Sequence, residues 1–225
     1  VDGKYVAQDN VAENAQEHFS VPAQAFVNQP TPVQAIIHSH PEGPDYPNRA
    51  DMQGQLDTAV PWGIVPIQKQ AVTNELVCGN IVWWGDQLEI PPLVGRGFVH
   101  GITDCYSLIR DYYRTRFGIV LKEHPRDWEW WLKGEKMYEM GFEETGFTRV
   151  NMRDPKPGDL FFACIRCKTP NHGGVWLGGP NSEILHHLTS RNPVDLTWLS
   201  RREPGIRYLK FVENGGIWCR HRELM

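Results

Sequence analysis

Short apolar and alternating runs predict strands over residues 3–11, 35–39, 63–67 and 76–84, with a helix over 49–59. The pattern then breaks. Pro91, Pro92, Gly95 and Gly97 fall within a few residues of one another, which predicts a linker over 91–97 between a unit at 1–90 and a second at 98–225. Beyond it Cys105, Leu108, Ile109 and Tyr112 recur at i, i+3, i+4 and i+7, one face of a helix. Thr103 or Asp104 can cap its start and Gly118 can end it. A second helix is predicted over 128–141. A turn at 155–159 leads into strands at 160–165, 172–177 and 183–188, the last two joined by a turn at 178–182.

That hairpin decides which histidines meet. If directly opposed residues have an even index sum, His172 and His186 share a face. A slip of one residue substitutes His187.

Composition narrows the function classes. A chain of 225 residues with 40% hydrophobic residues holds one large packed domain or two small ones. A net charge of −4 gives no electrostatic case for nucleic acid or a membrane surface. No apolar run approaches membrane-spanning length and no leader is visible, so no membrane anchor is expected. The chain opens on Val1 rather than Met, which leaves room for sequence upstream. Five cysteines, an odd number, fit reduced thiols better than a disulfide scaffold. Cys164 and Cys167 have CxxC spacing but no second pair, and read as incidental. Nine tryptophans suggest broad aromatic packing, or contacts with neighbouring subunits.

Cys105 carries the first chemical signal. A thiol must ionise to attack a carbonyl, and a helix start favours that anion. A histidine can take the proton and a further polar group can orient it. The second signal is Ile37-His38-Ser39-His40-Pro41. His38 and His40 are two apart on a predicted strand, so both face one side, and Asp51 follows at a helix start. Two imidazoles and a carboxylate suit Zn²⁺ with one position left for water.

The run from His100 through Cys105 to Asp111 resembles the NlpC-type cysteine peptidases, in the form carried by tail tip assembly proteins of lambda-like phages. Pro157-Gly158-Asp159, Asn171-His172, Leu185-His186-His187, Trp130-Trp131 and Glu143-Glu144-Thr145-Gly146 are similar to that subfamily too. The resemblance implies a papain-like domain with Cys105 as nucleophile, His172 as base and His186 as orienting residue. It implies bacterial peptidoglycan stem peptides as substrate. Cell-wall members have an oxyanion-hole tyrosine upstream of the nucleophile, which has no counterpart here; His100 is the candidate substitute.

His38, His40, Asn48 and Asp51 resemble the JAMM motif of MPN-type metalloproteases, a domain that precedes the NlpC-type one in lambda-like tail tip proteins. Asn48 stands at that motif's serine position. The family's general-base glutamate would precede Val1, and Glu13 and Glu17 are not at its position. The resemblance therefore implies a truncated, zinc-binding remnant without peptidase activity, whereas the cysteine site needs no cofactor.

The expected whole is an α+β protein of two domains, an MPN/JAMM-like one and a papain-like one. The expected function is a virion tail tip component, made in the host cytoplasm, that contacts other tail tip and hub proteins and cleaves stem peptides. The alternative is a non-enzymatic assembly subunit whose peptidase folds serve as interfaces.

Overall fold

A computed structural model describes residues 4–15, 18–27, 31–189 and 199–225. Glu17 and Gly3 lie outside them. The chain divides into two compact units, 1–89 and 90–225.

In the first unit the order is α1 (Gln24–Val27), β1 (Ile36–Pro41), α2 (Arg49–Thr58), β2 (Trp62–Lys69), β3 (Leu76–Cys78) and β4 (Val82–Trp84). β1 runs parallel to β2, and β3 and β4 pair antiparallel with β2. The crossover from β1 to β2 is α2. Asn48 caps it by accepting from the Asp51 N–H, while Asp51 accepts in return from the Asn48 N–H. Two expectations fail here. The described part of 3–11 forms no strand: it is mostly exposed, and the Asn10 side chain ties Ala12, Ala15, His18 and Ser20 into a closed loop instead. The strand expected at 76–84 is two short ones. Pro66 of β2 has no N–H for the ladder, Gly79 donates to its carbonyl, and the register slips by one residue between β3 and β4.

The second unit contains α3 (Cys105–Phe117), a 3₁₀ turn at Trp130–Lys133, α4 (Met137–Glu144), β5 (Phe147–Arg149), β6 (Leu160–Ala163), β7 (His172–Gly178), β8 (Glu183–His186), β9 (Arg201–Pro204), α5 (Ile206–Glu213) and β10 (Ile217–His221). The strands form one antiparallel sheet in the order β5-β10-β6-β7-β8-β9. Alternation along β6 splits the core. Leu160 and Phe162 pack with Leu108, Ile109 and Tyr113 of α3, while Phe161 and Ala163 pack with Tyr208 and Val212 of α5. The helix expected over 128–141 is broken into a 3₁₀ turn and α4 at Gly134, whose φ of +80° lies in the left-handed region.

Close approach across this sheet requires Gly174. A Cβ there would lie 2.6 Å from the Phe161 ring and 2.8 Å from the Leu185 carbonyl oxygen. Gly174→Ala is expected to destabilise the second unit by about 1–3 kcal/mol through overpacking, read as a lower denaturant midpoint at unchanged slope.

Candidate active site

Three elements carry the residues expected at the thiol site; His172 and His186 pack against Phe161 and Tyr208, and among the described residues no hydrogen bond joins either to the Cys105 sulfur. Asp104 is the N-cap of α3, its carboxylate accepting from the Tyr106 and Ser107 N–H groups, which places Cys105 at the first helical position. β7 supplies His172 and β8 supplies His186. The pairing Gly174↔His186 has an even index sum, so His172 and His186 share a face. Their rings meet with Nε2 of His172 3.0 Å from Nδ1 of His186, both side chains buried. His187 faces the other way and packs edge-on against Phe98.

The electrostatics differ from a simple helix-start thiolate. Burial, and after it the Asp104 carboxylate, push the Cys105 thiol up to about 11. The cap that positions the cysteine also offsets the positive end of the helix. Burial holds the His172 imidazole well below its ordinary value, and it does the same to His186, down to about 4. At rest the thiol and both imidazoles are thus neutral. Two donors work against burial at the sulfur: the Tyr138 hydroxyl, with its oxygen 3.2 Å from Sγ, and the Gly173 backbone N–H. Burial raises Tyr138 well above the usual phenol range, so it stays protonated. The ring is fixed by stacking on Phe162, centroids 4.4 Å apart, and by edge contact with Trp130.

His100 lies beneath the start of α3. Its Nε2 is 3.2 Å from the Arg126 carbonyl oxygen, its Nδ1 is 3.7 Å from Asp104, and its ring meets Trp128 edge-on. Among the described residues, the side chain hydrogen-bonded to the sulfur is that of Tyr138.

Behind the cap sits a buried ion network. Arg126, 2% exposed, donates from Nε and Nη2 to Asp104 at 3.0, 2.9 and 2.7 Å. Its Nη1 donates to Glu123, which also accepts from Arg110. Burial alone would raise the Asp104 carboxyl, but the Arg126 charge holds it well below the usual carboxylate range.

In the first unit β1 and α2 bring together His38, His40 and Asp51, whose ligand atoms all lie within 4.8 Å of one another. Nε2 of His38 and Nε2 of His40 are 3.0 Å apart, at 3.2 and 3.4 Å from the two Asp51 oxygens. Nδ1 of His40 donates to the Pro44 carbonyl at 2.8 Å, the outer contact that orients a metal-ligating imidazole. Burial would raise Asp51, yet hydrogen bonds from His38 and His40 hold it well below the usual range. Phe19 stacks on His38 at 4.7 Å. The Asn48 oxygen is committed to the α2 cap, so only its amide N–H groups are left to donate. The donor set and its convergence fit a zinc ion.

Residues 94–212 match the NlpC/P60 family, a span that includes Cys105, His172 and His186. The chain belongs to the NlpC/P60 family. It is 32% identical over 171 residues to "Tail tip assembly protein K" of Escherichia phage lambda, covering 76% of this chain and 74% of that protein. It is 29% identical over 214 residues to "Tail tip assembly protein K" of Escherichia phage N15, covering 91% and 82%. No solved structure matches it. The NlpC/P60 match starts after the first unit, so His38, His40 and Asp51 lie outside it.

Three residues at this NlpC/P60 site were not legible in the sequence: Tyr138, Arg126 and Glu203. Tyr138 lies 33 residues after the thiol it contacts, and no periodicity links the two. Arg126 reads as a surface charge until its burial is seen. Glu203 sits in a basic stretch that reads as a solvated surface, but places a carboxylate oxygen 3.8 Å from Nε2 of His186.

Proposed function

We propose that this chain is a phage tail tip component whose NlpC/P60 domain hydrolyses peptide bonds in bacterial peptidoglycan stem peptides. The observation that carries the reading is the Gly173 N–H at the Cys105 sulfur, which sets the start of a capped helix against β7 next to His172, itself in contact with His186. His172 takes the Cys105 proton as sulfur attacks the scissile carbonyl, since neither group is charged at rest. A carbon–sulfur bond forms, and the carbonyl electron pair moves to oxygen. The Tyr138 hydroxyl, already directed at sulfur, donates to the developing negative charge. Collapse of the tetrahedral adduct expels the amine, which takes the proton from His172. Water, deprotonated by His172, then cleaves the thioester and restores Cys105. His186 orients His172 throughout. The partners are other tail tip and hub proteins, with stem peptides as substrate.

A second reading has a specific observation behind it. The resting thiol is half-buried, hydrogen-bonded to Tyr138 and pushed up to about 11, and both relatives are named for assembly. In that reading the domain is a structural subunit of the tail tip. Purified protein incubated with sacculi separates the two. Stem-peptide fragments released only with Cys105 present support the peptidase; fragments that persist in Cys105→Ala rule out the thiol mechanism; no release under any condition supports the assembly role.

For the first unit we propose an MPN/JAMM-like domain in which His38, His40 and Asp51 hold zinc. The ion would cross-link β1 to the start of α2 and, with an open position, would polarise a bound water. Purified protein is expected to carry about one zinc per chain by mass spectrometry, the stoichiometry of a single site. His38→Ala is expected to lose it and to lower the melting temperature of the first unit. Metal retained in that variant would place the zinc elsewhere.

A further inference from the structure

The His172–His186 contact continues onto the next strand. β9 lies beside β8, with Arg201 opposite His186 and Glu203 opposite Ile184. The Glu203 side chain reaches back along the strand so that Oε1 is 3.8 Å from Nε2 of His186. His186 is fully buried, and its Nε2 makes no hydrogen bond within 3.5 Å among the described residues. A buried N–H or lone pair left in that condition is costly, and a small side-chain shift would close the gap to Glu203. Glu203 is 11% exposed and is held from its other side by Arg201 and Arg207. Those two cations keep it ionised, hence an acceptor only.

The acceptor at one end of His186 settles the roles along the chain. A carboxylate facing Nε2 requires the proton there, which makes Nδ1 a bare lone pair. That lone pair is 3.0 Å from Nε2 of His172, which must then carry a proton. With Nε2 protonated, Nδ1 of neutral His172 is the basic atom. The opposite tautomer of His186 would put N–H at Nδ1 and demand a lone pair at Nε2 of His172, leaving its Nδ1 protonated and unable to act as base.

Building on the peptidase reading of Cys105, we propose that Glu203 is a positioning residue that fixes His186 as the Nε2–H tautomer and thereby makes Nδ1 of His172 the base. The array runs Cys105, His172, His186, Glu203. The groups facing His186 are His172 from β7, Arg201 and Glu203 from β9, Tyr208 from α5 at a centroid distance of 4.5 Å, and its neighbour His187. Among the described groups that act on it, Glu203 is the one carboxylate. A merely structural Glu203 would bind Arg201 and Arg207 and leave the His186 tautomer alone.

The test is ¹⁵N NMR of the full chain labelled at histidine, at pH 7.5, with His186 assigned by its substitution. The expected wild-type result is a protonated Nε2 and an unprotonated Nδ1 on His186; the reverse overturns the proposal without any variant. In Glu203→Leu the tautomer is expected to change or to become mixed. Stem-peptide cleavage is expected to lose about 10–100-fold in kcat, the usual cost of removing the partner that orients a working histidine, with KM unchanged. Glu203→Gln, which keeps an oxygen acceptor, is expected to restore most of kcat. An unchanged tautomer with kcat within a factor of two of wild type in Glu203→Leu overturns the proposal. If wild-type protein cleaves nothing, the peptidase reading fails while the NMR result still judges Glu203. Should Glu203→Leu not fold, the wild-type and Glu203→Gln spectra decide.

Discussion

His172→Ala is expected to slow stem-peptide cleavage by about 10²–10⁴-fold, the contribution of a positioned general base. The thiol makes this effect large. With its pKa pushed up to about 11, only about one Cys105 in ten thousand is ionised at pH 7. Without a base, attack must draw on that fraction, so the variant's residual rate is expected to climb with pH toward the thiol's own value. The wild type is expected to behave differently. Burial lowers His172 well below its usual value, so its neutral, competent form persists below pH 6.5. Activity should therefore hold a plateau into mildly acidic pH and fall only below it. A pH–rate profile of both proteins measures this. A wild-type profile that rises steadily with pH up to the thiol's value would mean that His172 takes no proton.

Arg126→Met is expected to destabilise the second unit by about 3–5 kcal/mol, the cost of leaving one member of a buried ion pair alone. The Asp104 carboxylate would remain at the foot of α3, 3% exposed as a residue, with helix N–H groups but no counter-ion. The pH dependence has a defined sign. In the native protein Asp104 is depressed, so its contribution is present above the unfolded carboxylate value and is lost as pH falls through the folded one. In the variant the depression by Arg126 is gone. Its deficit against wild type should therefore narrow as pH falls and Asp104 takes up a proton in the variant, where burial raises its carboxyl with no cation beside it. Denaturant unfolding of the two at pH 7.5 and pH 4 checks this; an equal deficit at both values would show that Arg126 acts through packing rather than charge. Because Asp104 sets the position of Cys105, a milder variant, Arg126→Lys, is expected to fold yet react more slowly, since an ammonium cannot reproduce the forked contact.

Local chemistry was legible before the structure; long-range burial was not. Asp104 and Gly118 announce the ends of α3, and the residues between them repeat at helical spacing. The register of β7 and β8 follows from a two-residue side-chain period, which is why the choice between His186 and His187 reduces to parity. Pro66 shows where such reasoning stops. It broke the partner strand from across the sheet, and the one local sign within 76–84 was Gly79-Asn80 between the two apolar runs. Likewise Gly134 looked tolerable within a helical pattern, yet its left-handed conformation ended the 3₁₀ turn. The electrostatics were the least legible. A helix start suggested a stabilised thiolate, but whether a helix dipole or burial wins depends on the surroundings. Here burial, and after it the charge of the Asp104 cap, outweigh the helix start and the Tyr138 hydroxyl at the sulfur.

The most direct test of the central claim is muropeptide release from purified sacculi, followed by mass spectrometry, with wild-type protein and Cys105→Ala side by side. The account predicts that wild type releases fragments cut within the stem peptide, and that Cys105→Ala, folded by circular dichroism, releases none above buffer. Equal release by both proteins would contradict it.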